Sequence, residues 1–95
     1  MSIVIIGGNE CMERRYVEEC KKYGCKAKVF AKPCTDMKSR IGNPDLLILF
    51  THTVSHKLAM SALLNINEKT RIVRSHTSSM ASLQSILDEN VAALR

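Results

Sequence analysis

Four short apolar runs alternate along the chain with segments whose apolar residues recur every three or four positions. The runs predict β-strands over residues 2–6, 26–31, 45–50 and 70–74, because short aliphatic and β-branched blocks ended by turn residues are typical of strands. The second run alternates basic and apolar residues, which favours an edge strand with one wet face. The third run is apolar after its first residue, which indicates a strand buried on both faces.

Helical periodicity fills the segments between these strands. The first helix is predicted to follow Asn9 as its N-cap and to end at Gly24 in a left-handed conformation. A short helix fits residues 35–41, and a long third helix covers residues 80–94. The helix after the first run has the apolar row Met12, Tyr16, Cys20 and Tyr23. The helix after the third run has the apolar row Val54, Leu58, Ala62 and Ile66.

Strands that alternate with helices predict a parallel sheet, because right-handed crossovers carry each connection over one face. We expect a small doubly wound, Rossmann-like α/β fold with four strands in the order 2-1-3-4 and helices on both faces. The chain has 95 residues, which is too few for two independent cores. Residues 1–95 are therefore predicted to form one domain.

The apolar runs, the cysteines and the net charge predict where the protein is located and which partners it has. No run approaches the roughly 18 apolar residues of a membrane span, and the first apolar run lacks the basic segment of a secretory signal. Four cysteines without an export signal predict reduced thiols and a cytoplasmic protein with no membrane partner. The net charge is +5, and nine of the fourteen Lys and Arg lie in the first forty residues. This excess fits either a solvated surface or a face that attracts phosphate or nucleic acid.

The candidate site lies where the strands end. In doubly wound sheets, ligands bind beyond the carboxyl ends of the strands at the point where strand order reverses. Two loops at this edge share the pattern Ser/Thr-His-Thr-x-Ser, and a Gly-Gly pair follows the first strand. Hydroxyls and helix N-termini suit a phosphate-like anion. The predicted ligand-binding residues are Gly7, Gly8, Asn9, Thr51, Thr53, Ser55, His56, Arg74, Ser75, Thr77 and Ser79.

Other interpretations of the same residues remain open. The hydroxyls also fit helix N-caps, with the histidines solvated. The imidazoles of His52, His56 and His76 are weak candidates for a zinc site, although no metal is required by the sequence. Cys11 lies near a helix N-terminus, where a thiol pKa can fall, whereas Cys20 fits a small core residue. The chain has neither a complete G-x-G-x-x-G nor a P-loop.

The combination of Ile6-Gly7-Gly8, Val54-Ser55-His56 and Arg74-Ser75 leading to Ser79-Met80-Ala81-Ser82 resembles the bacterial domain-of-unknown-function 2325 family. The similarity covers essentially the whole chain. It implies a Rossmann-like fold without a settled activity. The positions that the resemblance favours are Gly7, Gly8, Ser55, His56, Arg74, Ser75 and Ser82, whereas His52 and Asn9 depart from the family pattern.

These observations favour a small binding module for an anionic, phosphate- or nucleotide-like ligand, with a regulatory or accessory role, over an enzyme. The alternative from another class is a metal- or redox-linked protein or enzyme that uses His56 and Cys11. Nucleic-acid binding through the basic first half is a second alternative. A single Rossmann half forms a shallow cleft, and Arg71 and Arg74 lie on an expected edge strand. We therefore expect a homodimer.

Overall fold

A computed structural model describes residues 1–32 and 37–94 of the chain. The strands are β1 (Ser2–Ile6), β2 (Lys26–Phe30), β3 (Leu46–Phe50) and β4 (Arg71–Ser75). The helices are α1 (Glu13–Lys22), α2 (Met37–Ile41), α3 (His56–Leu64) and α4 (Met80–Leu94), and a 3-10 turn over Glu10–Met12 precedes α1. None of the described helices is long and apolar enough to cross a membrane.

The four strands form one parallel sheet in the order β2-β1-β3-β4, which confirms the predicted fold class. β1 and β3 occupy the centre, and every residue of β3 is buried. β2 and β4 are the two edges. Burial explains this order, because only the most apolar runs can lose water contact on both faces.

Helices cover both faces of the sheet. Tyr16 of α1 and Leu83 of α4 pack with Ile3 and Ile5 in one buried cluster. On the opposite face, Leu58 of α3 joins the second cluster, which holds alternate residues of β1 and β3 together with Ile41 of α2. Successive residues of a strand point to opposite faces, so each central strand supplies both clusters.

Several predicted boundaries shift in the structure. β4 covers Arg71–Ser75, so it begins and ends one residue later than predicted. Its start shifts because Thr70 turns inward and its hydroxyl donates to Pro44 O at 2.7 Å. Asn9 caps the 3-10 turn instead of α1. α3 begins at His56, so Val54 packs on the core from the preceding loop. The predicted short helix is α2, and its expected start at residues 35 and 36 lies outside the described residues.

Candidate functional site

Three loops meet at the carboxyl edge of the sheet, which we call the rim. They follow β1 (residues 7–9), β3 (residues 51–55) and β4 (residues 76–79). β1, β3 and β4 are consecutive in the sheet, so these loops are neighbours. The strand order reverses between β1 and β3, as predicted. The rim is therefore at the position where ligands bind in sheets of this class.

The Gly7-Gly8 corner is closed by internal hydrogen bonds. Gly7 N donates to Phe30 O at 2.9 Å, and Gly8 N donates to the Thr53 hydroxyl at 2.8 Å. Both glycines have positive φ, at 95° and 86°, a region that side chains disfavour. The two amides are already satisfied, so this corner does not offer them to an anion.

Packing also explains why these positions are glycine. A Cβ at Gly8 would lie 2.9 Å from Cε2 of Tyr16, and a Cβ at Gly7 would lie 3.0 Å from Cβ of Val54. Tyr16 is fully buried and cannot move aside cheaply. The corner thus needs glycine for its own fold, and ligand contact by these residues stays a prediction.

Two predicted ligand hydroxyls act as helix caps. Ser55 Oγ accepts from Leu58 N at 3.1 Å and caps α3. Ser79 Oγ accepts from Ser82 N at 3.2 Å at the start of α4. Asn9 plays the same part in the 3-10 turn, where its side chain accepts from Cys11 N at 2.9 Å. Each cap satisfies one of several first-turn amides that have no acceptor within the helix.

The remaining hydroxyls join the loops after β3 and β4. Thr51 Oγ1 donates to Ser75 O at 3.3 Å, and Ser75 Oγ donates to Thr77 O at 2.8 Å. The hydroxyls of Thr77 and Ser82 share a further hydrogen bond. Capping therefore accounts for one hydroxyl in each of α3 and α4, and the further bonds join the two loops to each other.

The histidines divide into a pair and a single residue. The ring centroids of His52 and His76 are 4.9 Å apart with an interplanar angle of 51°, which confirms that these loops bring them close. His56 is exposed at the first position of α3, directed away from the core as expected. Among the described residues, no group of three or more His, Cys, Asp or Glu could hold a metal ion. The three histidines thus do not assemble a metal centre.

Arg74 lies two residues before the rim loop that follows β4. It is opposite Leu49 in the sheet register, and Leu49 belongs to the α2–α3 cluster, so Arg74 faces the side of the sheet that α3 covers. Its guanidinium is exposed and makes no hydrogen bond or ion pair within the described part of the chain. Arg71 is also exposed, but it lies at the amino end of β4 on the other face.

The charges around the rim are predominantly positive. No Asp or Glu occurs from Leu46 to Asn67 or from Lys69 to Leu87. α3 and α4 therefore begin without an acidic residue in the first turn, whereas the 3-10 turn begins with Glu10. Glu10 Oε1 is 3.2 Å from Lys32 Nζ, so its charge is paired. The positive ends of the α3 and α4 dipoles have no acidic side chain on their own first turns.

Three of the cysteines, Cys11, Cys20 and Cys25, lie within the described residues. Cys20 is fully buried, which confirms its prediction as a small core residue. Burial, and secondarily the nearby Cys25 and Glu19, raises its pKa to about 12. Cys11 is exposed in the 3-10 turn. The fourth cysteine, Cys34, lies outside the described residues.

Sequence reasoning missed a cavity of about 460 Å³ at the amino ends of the strands, opposite the rim. Asn43, Asp45, Asn67 and Lys69 supply most of its polar lining, and Cys25 contributes to its wall. The only sequence signal is a set of turn residues before β3 and β4, which is equally typical of ordinary loops.

A family model matches residues 2–90, and it describes an uncharacterised protein conserved in bacteria, DUF2325. The chain belongs to this family. The match covers all four strands, so membership agrees with the resemblance carried by the rim motifs. Searches of curated proteins and of solved structures found no match. The DUF2325 description names no activity, and the function must be argued from the site.

Proposed function

We propose that this DUF2325 protein is a binding module for a small anion of phosphate-like chemistry, held at the rim. The observation that carries the proposal is the charge pattern there. Two helices begin at the rim without acidic residues in their first turns, Arg74 lies near the carboxyl end of β4, and neither Arg74 nor His56 has a partner in the described chain.

Each group has a distinct part in this proposal. The guanidinium of Arg74 is a planar donor that matches two oxygens of a phosphate. His56 follows the Ser55 cap directly, so its side chain projects from the N-terminus of α3, where anions are stabilised by the helix dipole. The hydroxyl network of Thr51, Ser75 and Thr77 holds the loops in place. It preorganises the site more than it contacts the ligand.

The same features favour binding over catalysis. A nucleophile needs a base within hydrogen-bond reach and a third group that orients the base. Ser55 Oγ is instead engaged with the Leu58 amide. Along the chain, the first carboxylate after the β3 loop is Glu68, beyond the end of α3, and the first after the β4 loop is Asp88, more than two turns into α4. We therefore propose an accessory or regulatory role that depends on occupancy of the rim.

The test is titration with inorganic phosphate and with a nucleoside monophosphate, followed by calorimetry and by amide chemical shifts. Replacing Arg74 by Ala is expected to weaken binding by about 1.5–3 kcal/mol, the range for a hydrogen bond to a charged group. His56→Ala is expected to act in the same direction, with a change in folding stability below about 0.5 kcal/mol because the side chain is exposed. Shifts should be confined to residues 51–57 and 74–82.

Arg71→Ala is the matched control, because Arg71 lies on the same strand and is also exposed but is at the amino end, away from the rim. Its affinity for phosphate should equal that of the parent chain. Equal weakening by Arg71→Ala and Arg74→Ala would show a diffuse charge effect and reject a rim site. If the protein binds neither inorganic phosphate nor the nucleoside monophosphate, the proposal of an anion-binding module is rejected.

A further inference from the structure

The end of α1 forms a complete Schellman motif. Gly24 adopts a left-handed φ of 75°, Gly24 N donates to Lys21 O at 2.9 Å, and Cys25 N donates to Cys20 O at 3.0 Å. In this motif the side chain at the third residue from the helix end frequently contacts the side chain at the second residue beyond the cap. Those two positions are occupied here by Cys20 and Cys25.

The backbone bond limits the distance between the two cysteines. With standard bond lengths, a Cys25 N to Cys20 O distance of 3.0 Å keeps their Cα atoms within about 7 Å. Disulfides join Cα atoms roughly 4.4–6.8 Å apart. Both side chains also belong to the same buried cluster beneath α1 and α4. The motif thus brings the Cα atoms of two free cysteines to within about the upper limit for a disulfide.

The two thiols differ in their access to solvent. Cys20 is fully buried, and burial raises its pKa. Cys25 is 3% exposed and lines the cavity of about 460 Å³ at the amino ends of the strands. Its Sγ donates a weak hydrogen bond to Tyr23 O at 3.6 Å. A small oxidant in the cavity therefore meets Cys25 first.

We propose that Cys20 and Cys25 form a dithiol that hydrogen peroxide converts into an intramolecular disulfide. The Cys25 thiolate attacks one peroxide oxygen, the O–O bond breaks, and the released hydroxide takes up a proton to form water. Cys25 is then a sulfenic acid. The sulfur of Cys20 attacks the Cys25 sulfur, the S–O bond breaks, and hydroxide leaves with the Cys20 proton as a second water. Two thiols are oxidised while one peroxide is reduced to two waters.

The site is independent of the proposed anion site, since it lies at the other end of the sheet. The bond would fix the end of α1 to the start of β2 and remove one thiol from the cavity wall. Its closed loop is short, so its effect on the unfolded chain is small compared with a long-range disulfide. The expected consequence is a change at the cavity and not a change of fold.

The test uses a full-length background variant with Cys11→Ser and Cys34→Ser, which retains only the Schellman pair. After treatment with hydrogen peroxide, intact-mass spectrometry should show the loss of two hydrogen atoms per chain, reversed by a thiol reductant. Proteolysis should yield a peptide cross-linked between residues 20 and 25. Cys25→Ser in the same background should show no such loss, and its thermal unfolding before treatment verifies that it is folded.

Two results would overturn the proposal. One is a background variant whose two cysteines remain fully alkylatable, after brief denaturation, under peroxide exposure that oxidises Cys11 in the parent chain. The other is oxidation of Cys25 to sulfinic acid, or a disulfide between chains on a non-reducing gel, without the intramolecular cross-link. Should Cys25→Ser fail to fold, Cys25→Ala supplies the same control.

Discussion

Individual glycines in this chain serve different ends although they share a backbone conformation. Gly8 and Gly42 both have positive φ, at 86° and 64°. A Cβ at Gly42 would meet no atom within 4 Å, whereas a Cβ at Gly8 would lie against the ring of Tyr16 and the ring of Phe50. Alanine substitutions at Gly8 and Gly42 therefore separate the energetic cost of a side chain at positive φ from the energetic cost of steric crowding.

We expect Gly42→Ala to lower the free energy of unfolding by about 1–2 kcal/mol, the usual cost of a side chain in the left-handed region. Gly8→Ala is expected to cost roughly 1–3 kcal/mol more, because overpacking adds to the same backbone term. Urea unfolding followed by circular dichroism measures both. Equal losses for the two variants would contradict the packing explanation for the Gly7-Gly8 corner.

The sequence predicted which rim residues come together better than what they do there. Ser55 was recognisable as an N-cap because it precedes an amphipathic helix. The partner of Thr53 was not, because Gly8 lies 45 residues away and the bond exists only after β1 and β3 pair. The contact between His52 and His76 followed from strand order alone. Local pattern therefore identifies caps, and topology identifies neighbours.

Among the secondary-structure elements, the boundaries marked by a single residue type were predicted most accurately from the sequence. Gly24 ends α1 because its left-handed conformation is open to glycine. The 3-10 turn before α1 was missed, because an N-cap such as Asn9 and acidic residues suit either kind of helix start. The start of β4 was misplaced by one residue because Thr70 has high strand propensity but turns inward to Pro44 O.

A hydrogen bond from a titratable side chain also joins the end of α1 to α4. Tyr23 OH donates to Asp88 Oδ1 at 2.5 Å, and this bond to a carboxylate, more than burial, raises the pKa of Tyr23 to about 12. The folded chain therefore keeps this proton, and that of Cys20, at pH values where the unfolded chain loses them. As the pH rises, the free energy of unfolding falls wherever the folded state binds more protons than the unfolded state.

We expect the free energy of unfolding to decline between about pH 9 and pH 12, the window set by the ordinary and raised pKa values of Cys20 and Tyr23. Tyr23→Phe should make the decline shallower above about pH 10, because phenylalanine has no proton to lose, and should leave the part due to Cys20. Urea unfolding across this range provides the measurement. An equally steep decline in the variant would refute the assignment to Tyr23.

For the whole molecule, the sheet order was predictable because burial differs strongly among the strands. β3 is buried throughout and β2 alternates, which places them at the centre and the edge. The degree of cover over β4 was not predictable. Ile72 is 37% exposed although its neighbour Leu47 is fully buried, because α3 packs on β1 and α2. Helix placement across a face depends on packing that periodicity does not encode.

The expected homodimer stays a prediction, and the β4 edge is where we place its interface. We expect sedimentation equilibrium to give twice the chain mass of 10.6 kDa. Ile72→Lys should shift the protein to the monomer, since the charge would enter the interface. Met60→Lys on α3 is the control, because Met60 is similarly exposed, at 44%, but lies off the edge. A monomer of the parent chain at high concentration would remove the dimer.

The central position of β1 has a consequence for synthesis of the chain. Ser2 pairs with Lys26 and Ile3 pairs with Leu46, so β1 gains its first neighbour only after residue 26 and its second only after residue 46. Until then, four of the most deeply buried side chains, Ile3 to Ile6, are exposed as the nascent chain leaves the ribosome. Unpaired apolar strands of this kind are prone to aggregate. The next segment, from Arg14 to Lys28, is rich in basic residues. Its charge favours solubility of the nascent chain while β1 is still unpaired with β2 and β3.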